Sequence, residues 1–67
     1  MEKLKFINAL NALRDNVEFY TFVDNITTDD ENEFFYIVLC QARKVLHEHT
    51  LDNDTLTDIV TKFLQEH

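Results

Sequence analysis

Residues 28–46 read TDDENEFFYIVLCQARKVL, and whether this stretch is helix or strand decides the fold. Its apolar centre, Phe34 to Cys40, is rich in the aromatic and β-branched residues of strands. Two features point to a helix instead. Thr28 and Glu31 have the Ser/Thr-x-x-Glu spacing of a capping box, set just ahead of a hydrophobic run. Phe34, Phe35, Val38, Leu39, Ala42, Val45 and Leu46 then hold one helical face, which Tyr36, Ile37 and Cys40 widen towards all-round hydrophobicity in the first half. A helix of that kind is central in its domain or covered by a second chain.

The segments before and after it carry the same periodicity. Phe6, Leu10, Leu13 and Val17 recur at spacings of four, three and four, one face of a first helix. Phe19, Phe22, Val23 and Ile26 form a second stripe pointing well away from the first, so a break falls near Asn16, with Asp15 as N-cap and Glu18 three residues on as its reciprocal partner. At the far end, Leu51, Asp52 and Leu56 read as hydrophobic staple, N-cap and N4 of a last helix striped by Leu56, Ile59, Val60, Phe63 and Leu64.

The chain has no glycine and no proline. Tight hairpins draw on Gly or Asn-Gly at positive φ, and helices often end on Gly, so turns fall to Asn, Asp and Thr and an all-β fold is disfavoured. The reading is a single all-α domain over 1–67, a small bundle of three to four helices at about 2–15, 17–26, 29–48 and 53–66. The alternative is an α+β fold in which 17–23 and 34–40 pair as a two-stranded hairpin.

With 67 residues the chain buries only about 60% of the surface its unfolded form exposes, so one core is marginal without a disulfide, a metal or a partner chain. Cys40 is the single cysteine, which excludes an intrachain disulfide and suits a reducing compartment. Together with the broad apolar face of the third helix, this makes a homodimer the expected state. The first residues lead straight into an amphipathic pattern without a secretory leader, and the longest apolar run, Phe34 to Cys40, is far short of the roughly 20 residues that span a bilayer. A cytoplasmic location is therefore expected.

Six basic residues against thirteen acidic give a formal charge of −7. Nucleic-acid backbones and anionic membranes attract clustered Lys and Arg, so neither is an expected direct partner. The helices that might read DNA offer only Arg43 and Lys44, or Lys62 among Asp54, Asp58 and Glu66.

Catalytic and metal constellations are weak. His47 and His49 would lie about 200° apart on a helix and cannot serve one ion, and Cys40 and His47 would be separated by roughly 10 Å along the axis. Histidines there suit the negative end of a helix. The run Asp29, Asp30, Glu31, Asn32, Glu33 lacks the alternation, central glycine and terminal Glu of an EF-hand loop, and acids at a helix start already oppose the helix dipole. There is no serine and no glycine-rich phosphate loop, and Asp54 with Asp58 reads as a solvated helix face. The expectation is no enzyme activity, no cofactor and no metal.

What remains is recognition of another protein, with a basic one permitted by the charge, by a regulator, inhibitor or adaptor. Phe19, Tyr20, Phe22, Phe34, Phe35 and Tyr36 supply aromatic surface of the kind found at interface hot spots, with a core role as the competing account. Glu18, Asp24, Asp29, Asp30, Glu31 and Glu33 place six negative charges between residues 18 and 33 with no Lys or Arg among them. Glu18, Tyr20, Asp24, Asp29, Asp30, Glu31, Glu33 and Tyr36 are accordingly the expected partner-binding residues. Two further readings use the same residues: an acidic mimic of nucleic acid that blocks a basic DNA- or RNA-binding protein, and a purely structural homo-oligomer subunit.

Overall fold

The computed structural model describes residues 2–67, with side chains from residue 3 onward. Four helices follow in order: α1 (Glu2–Asp15), α2 (Val17–Asp24), α3 (Glu31–Val45) and α4 (Asn53–Glu66). The described residues contain no strand, which overturns the hairpin alternative: 17–23 and 34–40 are both helical. The reason is local and tertiary together. Each segment starts from a side-chain cap, and the helical repeat sets Phe19 with Val23, and Val38 with Ala42, one turn apart on one buried face.

The caps differ in detail from those read in the sequence. Asn16, not Asp15, caps α2: its backbone is extended (φ −90°, ψ 102°) and its side-chain oxygen accepts the Phe19 N–H at 2.9 Å. Because α1 runs through Asp15, a single non-helical residue turns the chain. Helix α2 then closes at Asp24, two residues earlier than expected, with the Asn25 N–H donating back to Thr21 and Phe22.

Asp30, rather than Thr28, caps α3, accepting the Asn32 and Glu33 N–H groups at 2.9 and 3.1 Å. A carboxylate is the stronger cap, and Thr28 is used beside it: its hydroxyl donates to Glu33 Oε1 at 2.6 Å and accepts the Asp30 N–H at 3.2 Å. Helix α3 therefore starts at Glu31, and it stops at Val45 instead of continuing to residue 48. Stopping there buries Leu46 and lets residues 47–51 turn the chain, so that Leu51 packs against the core. Asp52 caps α4 as expected, accepting the Thr55 N–H at 2.7 Å.

No described residue has positive φ, so these turns are made without the left-handed conformation that would have favoured glycine.

The core joins all four helices: Ala9, Leu10 and Leu13 from α1, Phe19 and Val23 from α2, Val38 and Ala42 from α3, and Leu56, Ile59, Val60 and Phe63 from α4. Helix α4 contributes the largest share of buried residues and packs mainly against α1 and α3, while α3 packs against all three other helices. Phe19 and Phe63 meet edge to face with ring centroids 4.9 Å apart, the geometry favoured by the ring quadrupoles. Val17 departs from the stripe expected of it. As the first residue of α2, beyond the break at Asn16, it is 76% exposed.

Candidate binding surface

The aromatic supply divides unevenly once folded. Phe19 is buried, and Tyr20, Phe22, Phe34 and Phe35 are half-buried against the core. Tyr36 alone of the six turns outward, 65% exposed. Tyr20 packs its ring on Phe63 (5.0 Å between centroids) and on His67 (4.9 Å), so it belongs to the margin of the core more than to a free surface.

The acids lie on the outside. Glu18, Asp24, Asp29, Asp30, Glu31 and Glu33 are all exposed. Three of them have intramolecular work. Asp30 caps α3, Glu33 accepts from Thr28, and Asp24 Oδ1 lies 2.8 Å from His67 Nε2. Asp29 and Glu31 make no side-chain hydrogen bond among the described residues, and no Lys or Arg pairs with any of the six there. Asp30, Glu31 and Glu33 stand at the positive end of α3, which opposes part of their charge. Tyr36 follows Glu33 by three residues and Asn32 by four, which places it one turn along the helix from the acids. The structure thus brings Asp29, Asp30, Glu31, Glu33 and Tyr36 to one end of one helix. Glu18, Tyr20 and Asp24 lie on α2.

Several surface features carry no local signal in the sequence. Leu4 and Ile7 on α1 are exposed at 69% and 43%. Asp24 and His67, 43 residues apart, tie the end of α2 to the end of α4, and Arg14 pairs with Glu66 across α1 and α4. Each joins residues that only the packing of the helices makes neighbours.

Elsewhere, an open cleft of about 260 Å³ lies where α3 hands over to α4, lined by Arg43, His47, His49 and Leu51 among others. That is below the usual volume of a small-molecule pocket. His47 Nδ1 lies 3.0 Å from the Lys44 carbonyl, at the negative end of α3. No three His, Cys, Asp or Glu side chains among the described residues are grouped so as to hold a metal ion, and no described helix is long and apolar enough to cross a membrane.

Fold and surface together define a class: a small four-helix domain whose acidic helix start stands unneutralised beside one outward aromatic ring. Compared with known protein families, with curated proteins and with solved structures, the chain matches none.

Proposed function

We propose that this protein is a protein-binding module that regulates, inhibits or adapts a partner presenting a basic surface, and that the start of α3 is its docking end. The observation that carries this reading is the run from Asp29 to Glu33, exposed, free of Lys and Arg, and followed one turn later by exposed Tyr36. Unpaired acids at one site raise the association rate of a basic partner and orient it, while an exposed Tyr supplies contact area at low entropic cost. The single unpaired Cys40 supports a reducing, intracellular setting for this activity.

The test is affinity capture on the immobilised full chain from extract of its source organism, with Asp29→Asn/Glu31→Gln and Tyr36→Ala run alongside. The expected result is a partner of basic surface retained by the unaltered chain, released by salt, and lost from both variants while their far-UV circular dichroism is unchanged. Equal recovery on all three proteins would remove the basis of the reading.

A further inference from the structure

The outer face of α3 has an order of its own. Glu33, Ile37, Cys40 and Lys44 follow one another at spacings of four, three and four, the repeat by which paired helices form a seam. Projected around the helix, this row lies roughly opposite Val38 and Ala42, the two residues that α3 buries. Its ends, Glu33 and Lys44, are exposed, and its middle, Ile37 and Cys40, is half-buried. Ile37 is nonetheless not one of the side chains packed against the core. Tyr36 borders the same row. Helix α3 therefore has a core face and, behind it, a second, narrower strip whose apolar residues are half-buried and whose Ile37 does not pack against the core.

The charges at the two ends of the strip say what covers it. A parallel copy would set Glu33 beside Glu33 and Lys44 beside Lys44. An antiparallel copy sets each Glu33 against the partner's Lys44 and each Ile37 against the partner's Cys40. Both pairs share one midpoint along the helix, so a single two-fold axis satisfies them together, as an isologous interface requires. The hydrogen bond from Thr28 orients the Glu33 carboxylate and leaves its charge in place.

We propose that a second copy of this chain docks here, α3 against α3, antiparallel about that axis. A seam on one 15-residue helix, about 22 Å long, is at the small end of specific interfaces, so the dimer is weak and reversible. The proposal does not rest on the heterologous docking proposed above: Asp29 and Glu31 lie outside the seam, and Glu33 and Tyr36 are the residues the two surfaces share.

Sedimentation equilibrium of the full chain with reductant, at submillimolar concentration, tests it. The unaltered protein is expected to show a monomer–dimer equilibrium. Lys44→Glu and Glu33→Lys each place like charges face to face twice per dimer and should weaken association by roughly tenfold or more, while the double variant E33K/K44E should return it to within about threefold. A short bis-maleimide should join two copies through Cys40, the chain's single cysteine, in the unaltered protein but not in Ile37→Asp. Circular dichroism on each variant keeps loss of fold apart from loss of pairing. A monomer throughout the concentration range, a dimer indifferent to Lys44→Glu, or a double variant that stays dissociated would each overturn the proposal. So would a chain that is covered at Tyr36 and Ile37 only by a different protein.

Discussion

Single polar side chains start three of the four helices. Asn16, Asp30 and Asp52 each accept backbone N–H groups that would otherwise lack partners at a helix start. Replacing Asn16 by Ala should lower stability by about 1 kcal/mol in urea unfolding, because it leaves the Phe19 N–H unpaired where α1 gives way to α2. Asp52 adds a pH dependence. The Thr55 N–H and then the Thr55 hydroxyl hold its carboxyl below the ordinary value of 3.8. A depressed carboxylate contributes stability that is complete above the unfolded value and lost as pH falls through the folded one. Relative to Asp52→Asn, the unaltered chain should therefore keep its advantage down to about pH 4 and lose it progressively below, as read by unfolding at a series of pH values. No narrowing of that difference at low pH would mean the cap does not titrate as proposed.

The two tyrosines illustrate how placement in an element sets a side chain's role. Tyr20 sits on α2 against Phe63 and His67, and Tyr36 sits on α3 facing away from the core. Tyr20→Ala should lower the melting temperature clearly, and Tyr36→Ala should leave it nearly unchanged. Thermal unfolding of the two variants side by side distinguishes these outcomes, and equal losses would contradict the placement of Tyr36. Helix α4 supports the rest of the bundle through Leu56, Ile59, Val60 and Phe63. Truncating Phe63 to Ala typically costs about 3–5 kcal/mol, against a total of roughly 3–10 kcal/mol for a chain of this length. Phe63→Ala is accordingly expected to be largely unfolded by circular dichroism at physiological temperature, since it removes the ring that packs on both Phe19 and Tyr20.

For the molecule as a whole, net charge weighs more than ion pairs. Among the described residues Lys and Arg form one pair with an acid, Arg14 with Glu66, whose side chains are 36% and 53% exposed. Exposed pairs of this sort contribute about 0–1 kcal/mol, so Glu66→Gln should shift stability by less than about 1 kcal/mol. Thirteen acids against six bases repel one another in the compact state, and their repulsion is screened over about 10 Å at 0.1 M salt. Raising sodium chloride from about 10 to about 150 mM should therefore raise the melting temperature, while the same change should weaken capture of a basic partner. A melting temperature that fell with salt would show that favourable ion pairs, rather than repulsion, dominate this surface.

What the sequence by itself determined is what depends on near neighbours along the chain. The four helices, the break at Asn16, the Asp52 cap and the acidic run before Phe34 all follow from side chains within about one helical turn of each other, where capping and periodicity act. The choice between Thr28 and Asp30 as cap escaped that reading because two adequate oxygens stood two residues apart and only the path of the loop selects between them. Tertiary structure alone decided the rest. It gave α4 the largest share of the core, drew Tyr20 to the core margin through Phe63 and His67, and left Tyr36 outside. An aromatic stripe states how much surface an element has to bury. Which part of it finds cover depends on helices many residues away, and here α1, α2 and α4 cover Val38 and Ala42 of α3 and leave Tyr36 exposed.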